Sequence, residues 1–592
     1  PIVDGVAGDY VWQSFNAVLA RVLNLGSYLS TIVEENDTVG LFSINRPEWV
    51  IGEHACYAYS FVTVPLYDTL GAEAIEYIIT QASISVILCT ADKAKAVLEI
   101  KEKVPLVKTL IVMDGVTDEL TAMAGDITII GMAEAEGKGK ESPKDKKPMS
   151  ADGLATICYT SGTTGLPKGV QLTHKNILAC AGSGIALMGA GRMYQLTKDD
   201  SHMSYLPLAH VFERLIQVML VHVGGCSGFF QGDTLKLLDD VAVLKPTLFI
   251  SVPRLYNRIY DKVNAGVNAK GGIAAYLFRT AYESKKRGLQ SGSSKHWLWD
   301  RLVFGAVRAR LGGNVKLMIT GAAPISPEVI DFLRICFSVD LYEGYGQTET
   351  SAGLSITDCS DLESGHVGVP FPCGEVKLVD VPSMNYTSQD TPYPRGEICM
   401  RGPSVFTGYF KNPEKTAETL DKDGWCHTGD IGMWDEKGRL KIVDRVKNIF
   451  KLAQGEYVSP ERVETVYARH EIVAQIFVYG DSIQPNLIAI VVPDADTLGP
   501  WAVSEGIEGA ANKSYKELCE DPAVVAAAFK SLAAFAKTTD LKGFECVKKI
   551  HIHSEAFSLE NNLLTPTFKL KRFEAKQKFE DEIKGMYAEL TK

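Results

Sequence analysis

Twelve residues concentrate the chemistry in this chain: Tyr159, Thr160, Ser161, Gly162, Thr163, Thr164, Gly165, Leu166, Pro167, Lys168, Gly169 and Val170. Glycines let backbone N–H groups turn toward an anion without a Cβ clash, hydroxyls add donors, and Lys168 adds charge, which together suit a polyphosphate. The order differs from the Walker A pattern, in which the lysine follows a glycine and precedes Ser or Thr; here Lys168 follows Pro167 and precedes Gly169. A turn rich in Gly, Thr and Ser is also the composition of a plain flexible loop. The flanks predict a strand over 154–159, the loop, and a helix over 174–181 capped by Thr173.

Further along the chain come Gly321-Ala322-Ala323-Pro324, then Tyr342-Glu343-Gly344-Tyr345-Gly346-Gln347-Thr348-Glu349-Thr350, then Asp423-Gly424-Trp425-Cys426-His427-Thr428-Gly429-Asp430. A block from Asp444 and Arg445 through Lys447, Lys451, Gly455, Glu456 and Tyr457 follows, and Phe568-Lys569-Leu570 stands near the end. In this order the blocks resemble the signatures of the adenylate-forming enzymes, the superfamily of acyl-CoA synthetases, luciferases and peptide-synthetase adenylation domains. The resemblance spans almost the whole chain. Tyr205-Leu206-Pro207-Leu208-Ala209-His210 and Ser251-Val252-Pro253-Arg254 are in the style of eukaryotic long-chain acyl-CoA synthetases, most like the plant and algal type.

What the resemblance implies is a ligase that joins a long-chain fatty acid to CoA, using ATP and Mg²⁺ and releasing AMP and pyrophosphate. A carboxylate is a poor acyl donor; attack on the α-phosphorus of ATP makes a mixed anhydride, from which a thiol displaces AMP. By resemblance, ATP or AMP is held by Thr160, Ser161, Gly162, Thr163, Thr164, Gly165 and Lys168, with Gly321, Ala322, Ala323, Glu343, Gly344, Tyr345 and Gly346 in the adenine-pocket motif and Thr348 at the phosphates. Asp430 and Arg445 are expected at the ribose, and Glu349 at Mg²⁺, a cation that prefers hard oxygen ligands. Lys569 serves adenylation, Lys447 is the hinge, and Lys451, Gly455, Glu456 and Tyr457 belong to the segment for thioester formation. Taken alone, an Asp or Arg in a turn is usually a surface group, and a lysine near a C-terminus a solvated charge.

His210 lies between apolar residues, where a satisfied core histidine is the ordinary outcome; the resemblance places it beside the reacting carboxylate. A general base is not required, since a fatty-acid carboxylate is already ionised near neutrality. His551 and His553 alternate on an expected strand without a third ligand, a pattern of plain surface positions. Neither His-Glu-x-x-His nor Gly-x-Ser-x-Gly occurs, so zinc-hydrolase and serine-esterase readings lose their main support.

The elements that must position these residues alternate: strand 39–44, helix 47–60, strand 62–67, helix 72–82 and strand 84–89, a pattern of parallel sheets covered by helices. The expected class is α/β, with a large N-terminal domain over 1–444 and a smaller α+β C-terminal domain over 445–592. Within the latter, 460–470 reads as helix and 473–478, 487–492 and 547–553 as strands. Residues 136–150, rich in Lys, Glu, Gly and Pro, read as a solvated insertion, and 215–230 as a core helix. Segments 241–250, 321–324 and 351–356 resemble acyl-pocket linings. Lys295, His296, Trp297, Leu298, Trp299, Arg301, Arg308 and Arg310 form a basic aromatic stretch, expected to pack as an amphipathic helix, with peripheral membrane contact as the alternative.

A chain of 592 residues with 46% hydrophobic content buries more than one core, and its net charge of -11 argues against a nucleic-acid partner. Twelve scattered cysteines without Cys-x-x-Cys spacing read as reduced, buried thiols. The expected setting is intracellular and cytosol-facing, peripheral on endoplasmic reticulum, plastid envelope or peroxisome, with an N-terminal segment missing before Pro1 and no peroxisomal tripeptide in Leu590-Thr591-Lys592. Alternatives of other kinds are a ligase for medium-chain or aromatic acids and a membrane-associated fatty-acid uptake or binding protein.

Overall fold

The computed structural model describes residues 2–3, 6–160, 167–384, 386–445, 448–454, 456–565 and 568–590. Ser161, Gly162, Thr163, Thr164 and Gly165 of the glycine loop, the expected hinge Lys447, and Gly455 lie outside the described residues.

Two large sheets form the N-terminal part. One has the order Gly408–Tyr409, Lys168–Thr173, Leu154–Thr160, Val62–Leu66, Thr38–Phe42, Val86–Cys89, Thr109–Val112, Thr128–Gly131. From Leu154–Thr160 onward its neighbours run parallel. Val62–Leu66, Val86–Cys89 and Thr109–Val112 are buried at every position, which is why they read as unbroken apolar runs: helices cover both faces. The second sheet runs Cys226–Phe229, Ser201–Ser204, Leu248–Ser251, Leu317–Thr320, Asp340–Tyr345, Ser355–Ile356, Val369–Pro370. A four-stranded antiparallel sheet of Glu375–Val379, Arg395–Arg401, Cys426–Trp434 and Leu440–Arg445 follows. The smaller C-terminal part holds the three-stranded sheet Val473–Tyr479, Leu487–Pro493, Val547–Ile552 over its own core, which includes Tyr467, Val478, Val491, Leu498 and Leu532.

Several expectations are corrected. A second strand stands between the glycine-rich segment and the helix: Lys168–Thr173 pairs antiparallel with Leu154–Thr160, because Val170 and Leu172 alternate into the core before Thr173 caps His174–Gly189. The segment 136–150 divides: 142–148 are exposed, as expected, while 136–141 belong to a docked helix. Helix Met132–Glu141 runs into it, Arg21 grips Glu136 at 3.0 Å, and a Cβ on Gly139 would stand 1.8 Å from the Asn24 carbonyl oxygen, so glycine composition here serves close helix packing. Residues 215–230 divide into the end of helix Val211–Val223 and strand Cys226–Phe229, separated at Gly224 with φ of 74°.

Candidate active site

The parallel strands Leu317–Thr320 and Asp340–Tyr345 pair Thr320 with Glu343, so Gly321 and Gly344 emerge together at their C-terminal ends, the usual ligand edge of such a sheet. Gly321 and Gly346 are held to glycine's bulk: a Cβ on Gly321 would lie 3.0 Å from the Gly344 carbonyl oxygen, and one on Gly346 2.0 Å from that of Ala352. Ala322 holds φ of 69°, Ser351 55° and Ala352 83°, a run of left-handed backbone around one opening. That opening is a cavity of about 570 Å³. Thr160, Lys168, His210, Gly321, Ala322, Gly344, Tyr345, Gly346, Thr348, Glu349, Asp430, Arg445 and Lys569 all line it.

Two polar clusters divide the cavity. Asp430 pairs with Arg445 directly across adjacent antiparallel strands, their Oδ1 and Nε 3.2 Å apart. The Tyr345 hydroxyl donates to Asp430 Oδ2 at 2.6 Å and Gln347 Nε2 donates to the same oxygen at 2.7 Å. Asp430 raises the Arg445 pKa further, keeping it a fixed cation. In the second cluster Lys168 Nζ stands 4.5 Å over the Tyr409 ring, and the Tyr409 hydroxyl donates to Glu349 Oε1 at 2.6 Å. Burial and then Glu349 push the Tyr409 phenol up, so it remains a donor. Tyr409 is there because Gly408–Tyr409 pairs with Val170 and Gln171 on the strand that Lys168 opens.

His210 is the N-cap of helix Val211–Val223, and its Nδ1 accepts the Phe212 N–H at 3.2 Å. Burial, then the Lys569 charge, lowers its pKa to about 4, so the ring is neutral at physiological pH. A neutral imidazole that accepts at Nδ1 carries its proton on Nε2, which makes His210 a donor. Lys569 reaches the cavity from a turn in which its N–H donates to Thr565 Oγ1 at 3.0 Å. Burial, then Arg445, lowers its pKa to about 8, against the opposing pull of Glu461, Asp430 and Glu349.

Other expected residues stand elsewhere. Ala323 is exposed, and Glu343 sits behind the wall, its N–H donating to Thr357 Oγ1 at 2.9 Å and its carboxyl pushed up to about 8 by burial. Lys451, Glu456 and Tyr457 belong to a small hairpin, with Lys451 Nζ 5.3 Å over the Tyr457 ring, and do not line the cavity. Residues 241–250 do not line it either, being helix and strand of the main core. The apolar arm of the cavity is formed instead by Cys180, Gly184, Leu215, Ile216 and Met219, together with Gly353 and Ile356. Sequence reasoning missed Tyr409 and Glu461, which only sheet register and chain crossing bring in, without a spacing pattern; Gln347 and Asn448 lie within the motif blocks but carry no role in that reading. In the basic aromatic stretch Trp299 and Val303 pack against the main core, as expected of an amphipathic helix, while Trp297 is 82% exposed on its outer side. Among the described residues no helix is long and apolar enough to cross a membrane.

A sheet-edge cavity with two glycine turns, a buried carboxylate beside a lysine, and an Asp–Arg pair defines a nucleotide-activating class of enzyme. The chain belongs to the AMP-binding enzyme family, whose pattern matches residues 2–410, and within it groups with the long-chain acyl-CoA synthetases. It is similar to the Arabidopsis thaliana protein named long chain acyl-CoA synthetase 6, peroxisomal, at 48% identity over 99% of this chain and 83% of that protein. Long-chain-fatty-acid–CoA ligase 5 of Rattus norvegicus is 48% identical over 98% of this chain and 84% of its own length. Among solved structures, the adenylation domain of a carboxylate reductase from Mycobacterium chelonae superposes with a TM-score of 0.81 at 26% identity, covering 98% of this chain and 85% of that one. That likeness accords with the α/β class and the large and small domains.

Proposed function

We propose that this chain is an AMP-forming long-chain fatty acid:CoA ligase, and that the cavity described above binds ATP and the fatty-acid carboxylate together. The observation that carries it is the apolar arm of Leu215, Ile216 and Met219 opening into the same cavity as Lys168, Glu349 and Lys569. Each buried methylene contributes about 0.8 kcal/mol, so acyl length is read there. The test is a panel of carboxylic acids of increasing length, with aromatic acids included, assayed for CoA-dependent AMP release. Rates that rise into the long-chain range support the proposal; preference for benzoate-like or short acids, or binding without AMP release, overturns it.

In the proposed roles, Lys168 and Lys569 offset the charge of two approaching anions, Asp430 and Arg445 engage the ribose, and His210 Nε2–H orients the acyl oxygen. The carboxylate oxygen attacks the α-phosphorus and pyrophosphate leaves; thiol attack on the acyl carbon then expels AMP. Glu349 fits Mg²⁺: its carboxylate is a hard oxygen ligand of which Oε1 accepts the Tyr409 hydroxyl, and Thr348 lines the same cavity beside it. Bound there, Mg²⁺ supplies charge neutralisation at phosphate oxygens. The domain boundary near Asp444 and the hinge at Lys447 belong to this proposal, resting on the separate sheet and core that follow Arg445.

A donor role for His210 predicts that His210→Ala lowers kcat/KM for fatty acid by roughly 10–100-fold. Since its pKa is already near 4, the wild-type pH profile has no histidine limb. An activity step near pH 6.5 that disappears in His210→Ala would contradict the donor assignment.

Peripheral membrane contact is assigned to residues 253–310, which carry twelve Lys and Arg against three Asp and Glu in a chain of net charge -11. On helix Gly272–Gln290, Ile273 and Tyr276 are 79% and 70% exposed and Leu277 shares their face; Trp297 and Leu302 stand out from the next helix. Lys285 ties the two helices through Asp300 at 2.5 Å. Basic charge with protruding aromatics suits an anionic bilayer surface, at about 1 kcal/mol per basic residue near it. Sedimentation with vesicles containing anionic lipid is expected, with little binding to neutral vesicles, and Tyr276→Ser with Trp297→Ser should lower it at least tenfold. Unchanged binding by that double variant would exclude this surface.

A further inference from the structure

Beyond the nucleotide clusters, one group of side chains has no role in the chemistry above. Arg395–Arg401 and Cys426–Trp434 are neighbouring antiparallel strands, and their register sets Cys399 opposite His427. A shift of register between Glu397 and Cys399 gathers all three side chains. One ligand atom from each lies within 4.8 Å of the others. Cys399 Sγ is 3.4 Å and Glu397 Oε2 2.8 Å from His427 Nδ1. A tetrahedral zinc ion, with bonds of about 2.3 Å to sulfur and 2.0 Å to nitrogen, sets those two ligand atoms about 3.5 Å apart.

The surroundings are built as a metal's are. The other histidine nitrogen, Nε2, faces Asp421 Oδ2 at 3.7 Å, the carboxylate–histidine arrangement that orients a ligating imidazole. Glu397 Oε1 accepts the Gly429 N–H at 3.0 Å, which fixes the carboxylate and leaves Oε2 directed at the histidine. Cys399 is fully buried, while Glu397 and His427 line the nucleotide cavity and so open the group to solvent on that side. Lys377 is the nearby cation, and it also stacks on Trp425 at 4.1 Å.

We propose that Cys399, His427 and Glu397 form a three-ligand site for a thiolate-preferring divalent cation of the zinc class, with the fourth position open to the nucleotide cavity. Binding replaces the thiol proton by a sulfur–metal bond and passes that proton to the buffer, leaving no redox change. Glu397 and His427 line the same cavity as Thr428 and Asp430, where nucleotide is proposed to sit, so a metal held there and a nucleotide would compete for that space. The binding half stands independently of the proposed activity; the exclusion half rests on it.

The test uses the full chain titrated with Co²⁺ alone and then with Zn²⁺ as competitor. Expected are one Co²⁺ per chain with a thiolate-to-cobalt charge-transfer band, displacement by Zn²⁺, and loss of the band in Cys399→Ser, with at least tenfold weaker binding in His427→Gln. AMP should weaken Co²⁺ binding to the wild type. Absence of the band, or its persistence in Cys399→Ser, overturns the site; a Co²⁺ affinity that saturating AMP leaves unchanged overturns the exclusion. Since AMP binding can be measured on Cys399→Ser without metal, failure of nucleotide binding itself is distinguished from failure of the metal site.

Discussion

Lys569→Ala is expected to abolish adenylate formation, by 10³-fold or about 4 kcal/mol of transition-state stabilisation, while still converting supplied acyl-adenylate and CoA to acyl-CoA. The reason is positional. Lys569 lines the cavity with Lys168 and Glu349, whereas Lys451 and Tyr457, expected to serve thioester formation, are on a hairpin outside the cavity lining. The two halves of the reaction need different neighbours at one acyl carbon: a cation at the α-phosphate first, then a route for CoA. Rotation of the C-terminal domain about Lys447 would exchange them, a hinge motion of a common kind. Rapid-quench measurement of the two half-reactions separately decides the matter, and equal impairment of both in Lys569→Ala would rule out alternation. Lys447→Pro should do the reverse, sparing the first step and slowing the second.

The same lysine gives the pH dependence a sign. Its pKa is lowered to about 8, so the cation that adenylation needs is present below that value and lost above it. The kcat/KM for ATP in the adenylation half-reaction, which reports the free enzyme, should therefore fall tenfold per pH unit well above 8. Lys569→Arg keeps its charge throughout and should remove that limb, whatever its rate. A limb that persists in the arginine variant belongs to another group.

What could be read in the sequence divides along the distance over which each residue acts. The glycine turns at Gly321 and Gly346 and the fully apolar strands leave local marks, because bulk and burial constrain residue type at each position. Tyr409 leaves none. It reaches Glu349 only because a two-residue strand pairs with Val170, over 200 residues earlier in the chain. Composition is ambiguous at 136–141 for a related reason: glycine there looks like part of a solvated stretch, but helix contact with Asn24 leaves no room for a Cβ on Gly139. Cys399 and His427 lack metal-site spacing along the chain, since cross-strand register rather than helix or turn periodicity makes them neighbours. Acyl-pocket residues assigned by resemblance at 241–250 fell in the core, while the helices His174–Gly189 and Val211–Val223, whose apolar residues look like ordinary packing, supply the lining.

Glu349→Gln is the second large effect expected, roughly 10²–10³-fold in adenylate formation with thermal stability near wild type. Stability survives because the amide oxygen of glutamine can still accept the Tyr409 hydroxyl, preserving the one hydrogen bond that packs this side chain. What is lost is the negative charge, and with it a hard ligand for Mg²⁺. The position is close to fully buried, so a charged ligand there is worth much more than at the surface, where solvent would screen it. Raising Mg²⁺ should recover part of the lost rate in Glu349→Gln, with the half-saturating concentration shifted at least tenfold upward. Lys168→Ala, which acts on phosphate directly, should show no such recovery. A Glu349→Gln enzyme with wild-type turnover at limiting Mg²⁺ would remove the metal role and leave the carboxylate as no more than a partner for Tyr409.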